Sequence, residues 1–441
     1  MINLASFKML ANINKKILGA IFLLSLLVGL SFIFTKPLSY LIDGDTEYVI
    51  YARNLINGNG FSLDLRPPYH SDVYRVPGYS FFLSLIYSIF GINNLAVMLI
   101  QVFLNASVCV LIFYLARRYF SVKLAYFASF LVAVYPFTAI FVHVIYSEVL
   151  CIFLFTLGIF LFEKGRESKN LLIFALSGIV MGCCLLVRPG TALMFLFMDA
   201  GYLLVENFKA IRKHLLVFNL CVILIWLPWI ARNYLVSGEF IPLTIEAKEE
   251  LFWASGSVGK YFENRMDNPK FISQLEEATY KVESSGLAGL QKKMKQESLY
   301  LGYAIKNIKD NPFLYLFSSI KRIPRMWISV LVPGDISRSY GFKILGGNRE
   351  IFNAIRYFMA ACLILAVYGL WIVRHKWKEC IFLILPIIYF PFTHMFLLAE
   401  ARFTLPARPY LLIFAVIGLL SFIKKIYPKL NIPIYCKTIN N

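Results

Sequence analysis

Residues 17–35 read Ile17-Leu-Gly-Ala-Ile-Phe-Leu-Leu-Ser-Leu-Leu-Val-Gly-Leu-Ser-Phe-Ile-Phe-Thr35, nineteen positions without a charge. A run of that length matches the roughly 20 apolar residues with which a helix crosses about 30 Å of hydrocarbon. Lipid offers no partner to a bare backbone N–H or C=O, so the segment is expected to be helical. Lys15 and Lys16 precede it, as in a secretory leader, but Lys36-Pro37-Leu38 follow where a leader has small residues for cleavage. It is read as an uncleaved first span.

Further apolar stretches lie at 94–116, 124–142, 215–231, 357–373 and 403–423. The 441 residues are 59% hydrophobic and 16% charged, whereas a soluble domain keeps roughly a quarter of its residues charged. A net charge of +19 would point to nucleic acid in a soluble protein, so its distribution decides its meaning. Nineteen basic residues fall in short clusters: Lys8/Lys15/Lys16, Arg117/Arg118/Lys123, Lys164/Arg166/Lys169, Lys209/Arg212/Lys213, Arg374/Lys376/Lys378 and Lys424/Lys425/Lys429/Lys437. They face only Glu163, Glu167, Glu206 and Glu379. Short Lys/Arg-rich connections stay in the cytoplasm. The charge is therefore a topology signal, and no nucleic-acid partner is expected. The eight cysteines all fall in expected spans or on the cytoplasmic side, which argues against a disulfide framework.

Placing every basic cluster inside fixes a path of ten spans, at about 17–35, 94–116, 124–142, 146–162, 171–187, 189–205, 215–231, 354–373, 380–398 and 404–423. Both termini are then cytoplasmic. Segment 78–90 is too short to cross and is read as a surface-lying or re-entrant helix; a crossing there would also invert every later basic cluster. Segment 313–331, broken by Lys321, Arg322, Pro324 and Arg325, is read as interfacial. The expected fold class is an all-α polytopic membrane protein of about ten transmembrane helices plus interfacial helices. Its three parts are an N-terminal module 1–234 with a first outer loop 36–75, an outer loop 235–353, and C-terminal spans with a tail, 354–441.

Long loops on a rigid scaffold are where chemistry usually sits. The first outer loop carries Asp43, Asp45, Glu47, Asp64 and Asp72. Tyr48, Ala52 and Leu55 share one helical face, which puts Asp45 at a helix start, near the positive end of the helix dipole; a helix cap accounts for the same spacing. Arg75 lies in Tyr74-Arg75-Val76-Pro77-Gly78-Tyr79. An interfacial anchor accounts for an arginine there, but Pro-Gly adds a tight turn that an anchor does not require.

Glu148, Arg188, Arg232, Glu400 and Arg402 come up at the same outer level in this topology. Carboxylates and guanidiniums gathered on one rim would make a pocket for an anionic, polar head group. The plainer alternative is rim salt bridges, with Glu400–Arg402 the first case. Asp199, read as the one charge deep within a span, is assigned to helix packing; His143 and His394 are assigned to hydrogen-bonded core positions.

The block Asp45-x-x-Tyr48-x-x-x-Ala52-Arg-Asn-Leu55-x-x-Gly58-x-Gly60-Phe61, followed by Tyr74-Arg75-x-Pro77-Gly78-Tyr79, resembles the first outer loop of the C-type (GT-C) glycosyltransferases. The resemblance is to the branch of the protein O-mannosyltransferases and the lipid A aminoarabinose transferase. Tyr146-Ser-Glu148, Leu186-Val-Arg188-Pro189, Leu227-Pro-Trp229, Arg232-Asn233-Tyr234, Gly238-Glu239-Phe240 and Glu400-Ala-Arg402-Phe403 with Pro406 and Pro409 continue it. It implies an inverting transferase with a polyprenyl-phosphate-linked sugar as donor and Asp45 as general base. It implies that rim arginines hold the departing phosphate: Arg75 first, with Arg188, Arg232 and Arg402. Tyr48, Tyr74, Tyr79 and Glu148 would line the donor and acceptor pocket.

Ten spans leave out the extra C-terminal spans and outer domain of the lipid A enzymes and the lumenal repeat domain of the eukaryotic mannosyltransferases. The acceptor, whether glycan, lipid or protein, is therefore not carried over. No metal ligand set is identified; a divalent metal is the one cofactor left open, and Tyr74 in place of a carboxylate before Arg75 argues against one there. The expectation is a cell-membrane glycosyltransferase working on the extracytoplasmic side among membrane lipids. The rival is a transporter or flippase of lipid-linked sugars, a class that shows repeats and several buried charges.

Overall fold

A computed structural model of the protein describes residues 13–34, 47–256, 268–328, 349–397 and 399–428. Asp45, the expected base, lies outside these residues, as do Asp43, Lys8, Lys429, Cys436 and Lys437.

Among the described residues, each of the ten expected spans contains a helix. Five of these segments are long and apolar enough to cross a membrane unaided: Lys15–Phe34 (α1), Asn94–Tyr119, Phe208–Ser237, Asn353–Lys376 and Ala401–Ile426. A sixth forms if Val122–Ala133 and Pro136–His143 count as one span, bent by 42° where Tyr135-Pro136 interrupts it. The others are shorter, Leu171–Val187, Pro189–Val205 and Ile381–His394, or, like Glu148–Ser168, carry charge at both ends. Side-chain caps mark the turns between them: Asn93, Ser121, Asn170 and Asn207 each accept a backbone N–H of the following helix.

In chain order the helices are α2 (Glu47–Ile56), α3 (Gly78–Phe90), α4 (Asn94–Tyr119), α5 (Val122–Ala133), α6 (Pro136–Ala139), α7 (Glu148–Ser168), α8 (Leu171–Val187), α9 (Met194–Val205) and α10 (Phe208–Ser237). Then come α11 (Glu246–Ser255), α12 (Pro269–Glu283), α13 (Gly289–Asp310), α14 (Pro312–Ile328), α15 (Arg349–Val373), α16 (Ile381–His394) and α17 (Arg408–Ile426). Among the described residues there is no strand.

Glycines set the closest helix contacts. A Cβ on Gly178 would lie 2.3 Å from the Phe218 carbonyl oxygen, and one on Gly418 would lie 2.0 Å from that of Leu365. Only glycine lets α8 meet α10, and α15 meet α17, backbone to backbone, the small-residue packing on which membrane helices rely. The segment 78–90 is a single helix of 13 residues, about 20 Å long and short of the roughly 30 Å a crossing requires. Its Gly78 explains the Pro-Gly turn. A Cβ there would stand 2.7 Å from the Leu186 backbone, so glycine lets the Arg75 turn come up against the end of α8, where Arg188 follows.

The loop after α2 and the stretch after α10 are sewn together. Tyr51 stacks on Phe61 with centroids 3.9 Å apart, and Phe61 meets Trp229 edge-on. Trp229 donates to the Leu243 carbonyl and Asn233 to those of Ile241 and Leu243. Helices α11–α13 close a small core of Phe252, Phe271, Ala278, Tyr300 and Ala304. On α14, Phe313, Leu316, Phe317 and Ile320 form an exposed apolar face beside Lys321, as the interfacial reading of 313–331 expects for the part described.

Candidate active site

Glu148 is the first residue of α7 and only 2% exposed. A carboxylate this buried must be paired. Its Oε1 meets Arg188 Nη1 at 2.8 Å and Arg402 Nη1 at 3.9 Å, while its Oε2 is buried with no hydrogen-bond partner. Arg188 caps the end of α8, where Pro189 stops the helix. Arg402 holds Glu400 at 2.5 Å through its Nε. The Phe403 ring lies under both guanidiniums, at 5.3 Å from Arg188 and 5.4 Å from Arg402, and His394 packs against the same ring.

Arg75 forms the adjoining half. Its Nε meets Glu47 at 2.5 Å, its Nη1 donates to Glu246, and the rings of Tyr74 and Tyr48 flank it at 5.0 and 5.7 Å. Burial opposes the Arg75 charge, but Glu246, Tyr48 and Glu47 outweigh it and hold the guanidinium above its ordinary pKa. The two halves meet through aromatics: Tyr48 packs edge-on against Tyr79 at 5.2 Å and Tyr146 at 6.3 Å, and Tyr79 donates to Gln101. A fifth carboxyl, Glu250, stands one turn beyond Glu246 on α11. Burial first, then the charges of Glu246 and Glu400, push it up to about 8 against the pull of Arg402 and Arg188.

The structure thus gathers Tyr48, Tyr74, Arg75, Tyr79, Glu148, Arg188 and Arg402 from five separate parts of the chain. It does not bring Arg232 into this ring. Arg232 donates to the Asp72 carbonyl and to Asn233 Oδ1 and lies 4.8 Å over Trp229, so it holds the loop between α2 and α3 instead. Glu400–Arg402 is the ion pair anticipated, but it is one side of a larger cluster. Asp199 accepts a hydrogen bond from Asn219 of the next helix, the packing role expected. Glu246 and Glu250 were not singled out by sequence; their i, i+4 spacing at a helix start was the available signal. Arg408 was passed over within the stretch 403–423 and is fully buried at 1% exposure.

Chemically the ring offers three guanidiniums able to accept an anion in exchange for a carboxylate partner. It also offers a buried carboxylate oxygen free to accept a hydroxyl. Among the described residues no group of three or more His, Cys, Asp or Glu side chains is placed to hold a metal ion.

Residues 73–231 match the family described as dolichyl-phosphate-mannose-protein mannosyltransferase. No curated protein matches the chain in sequence. Among solved structures it is similar to the oligosaccharyltransferase of Archaeoglobus fulgidus in the apo form, with a TM-score of 0.53 and 15% identity over 93% of this chain and 51% of that one. The Archaeoglobus fulgidus oligosaccharyltransferase AglB in complex with an inhibitory peptide and a dolichol-phosphate gives 0.51 and 14%, over 93% and 51%. ArnT from Cupriavidus metallidurans bound to undecaprenyl phosphate gives 0.42 and 14%, over 93% and 79%, too slight a likeness to argue from. The chain spans about half the length of the oligosaccharyltransferase structures it matches.

Proposed function

We propose that this chain, a membrane protein of the GT-C superfamily, is a glycosyltransferase that moves a single sugar from a polyprenyl-phosphate donor to an extracytoplasmic acceptor. The observation that carries the reading is the half-satisfied carboxylate of Glu148 held by Arg188 and Arg402, with Arg75 in the adjoining half on Glu47 and Glu246. Phosphate leaves as a stable anion, so the reaction requires two things: charge stabilisation at the leaving group and removal of one proton from the acceptor hydroxyl. The guanidiniums meet the first demand. Arg75, beside the rings of Tyr74 and Tyr48, presents a fork suited to phosphate oxygens. That a related fold, AglB, has been captured with a dolichol-phosphate supports a polyprenyl carrier.

The general base is Asp45. It stands two residues before Glu47, which is in contact with Arg75. With inversion at the anomeric carbon, the base acts on the face opposite the phosphate. Arg232 serves the site by holding the loop, and Glu148 sets Arg188 and Arg402. All the basic clusters lie on the cytoplasmic side, both termini with them, and the Glu148 end of the bundle faces outward. The acceptor is a glycan, lipid or protein on that side.

The test is mass spectrometry of surface glycans and lipids from cells with and without the gene. A product lighter by one sugar in its absence is expected. A lighter product with the lipid-linked sugar accumulating on the cytoplasmic leaflet would identify the flippase instead, and an unchanged profile would contradict both readings.

A further inference from the structure

Arg408 opens α17 and is among the largest fully buried side chains of the protein. A buried charge ordinarily has an ionic partner, yet among the described residues no carboxylate pairs with this one. Its Nη1 donates to Tyr135 Oη at 2.7 Å, and its Nη2 donates to the carbonyls of Met326 at 3.1 Å and Ala401 at 3.3 Å. The Phe137 ring lies 4.0 Å from the guanidinium carbon. The Met326 carbonyl lies in the last described turn of α14.

These contacts converge on the segment that supplies the third side of the active site. Ala401 separates Glu400 from Arg402. Thr404 donates to the same two carbonyls, Met326 at 2.9 Å and Ala401 at 3.0 Å, so each accepts twice. The anchor itself is rigid, because Gly369 and Gly418 clamp α15 and α17 backbone to backbone.

We propose that Arg408 is a positioning residue. Its guanidinium fixes Ala401, and with it Glu400 and Arg402, against α14 and against the bend of the third span at Tyr135. The consequence for the donor rests on the transferase reading; the latch itself does not.

The test uses the full chain in nanodiscs, with Arg408→Met, Arg408→Lys and Tyr135→Phe. Two quantities are measured: hydrogen exchange over 399–407, and affinity for undecaprenyl phosphate as the probe. Arg408→Met should speed exchange in that segment at least about tenfold while α4 is unchanged, and should weaken the probe about tenfold. Arg408→Lys, keeping a charge that reaches one carbonyl, should fall between. Tyr135→Phe leaves both carbonyl contacts and should stay within about twofold in affinity. If Arg408→Met does not fold, Arg408→Lys carries the same comparison. Unchanged exchange over 399–407 overturns the proposal. So does faster exchange with unchanged affinity, which reduces Arg408 to a stability clamp. Failure of the unmutated chain to bind the probe counts against the transferase reading, and exchange alone then decides the latch.

Discussion

Helix α7 carries a buried glutamate at each end, and the two are treated differently. Glu163, 1% exposed, has both oxygens filled: Oε1 by Arg166 at 2.5 Å, and Oε2 by Arg118 at 2.7 Å and the Tyr119 hydroxyl. Its neighbours are also paired, Arg118 with Glu167 and Lys169 with Glu206. Glu148, fifteen residues and so about 22 Å away, shares its one paired oxygen between two arginines and leaves the other without a hydrogen-bond partner. Around it, carboxyls outnumber guanidiniums, and Glu250 is held up to about 8. A closed network rigidifies; an open one leaves capacity for a substrate. The same residue type on one helix is thus a rivet at one end and part of a site at the other.

The largest effect that would break this contrast is at Asp45. Asp45→Asn keeps size and capping ability, so expression and donor binding should be normal while transfer falls roughly 10²-fold or more. Near-normal transfer by this variant would move the base away from Asp45. At the other end, Glu163→Gln leaves two guanidiniums short of their anion. It should cost about 3–5 kcal/mol of stability, visible as a lower melting temperature, yet the folded fraction should transfer at the normal rate. A kinetic defect in that fraction would make the inner cluster functional as well.

Smaller effects sharpen the picture. Arg75→Lys keeps the charge but loses the fork between Glu47 and Glu246, so donor affinity should drop about tenfold. Unchanged affinity in Arg75→Ala would reduce Arg75 to an anchor. The smallest prediction concerns Glu297 on α13, which burial and the Glu249 charge raise to about 8. A carboxyl raised on folding binds more protons in the native state than in the unfolded one. Stability therefore falls as pH rises from the ordinary carboxyl range through 8. Thermal melts of Glu297→Gln should show a flatter dependence over that window than the unmutated chain. Equal slopes would mean that Glu297 is ionised in the fold.

The ten helical segments were legible because lipid leaves the backbone no alternative to a helix. Glu148, Arg188 and Arg402 were legible for a related reason: a charge in a very short connection between apolar runs stands out. Glu246 and Glu250 did not stand out, lying in a polar helix where charges are ordinary and only folding brings them over the rim. Arg408 was lost to averaging, since one charge hardly alters the hydropathy of a long apolar stretch. Arg232 looked like its neighbours at the rim. Its real partners are loop carbonyls, and sequence does not reveal which of those a fold leaves unpaired.

The most direct measurement of the central claim returns to α7. A strain lacking the gene is complemented separately with the unmutated chain, Glu148→Gln and Glu163→Gln, each matched for folded protein in the membrane, and its surface glycans and lipids are weighed. The account predicts that the unmutated chain and Glu163→Gln restore the one-sugar mass difference, and that Glu148→Gln does not. Restoration by Glu148→Gln together with failure of Glu163→Gln would place the chemistry at the wrong end of the helix and contradict it.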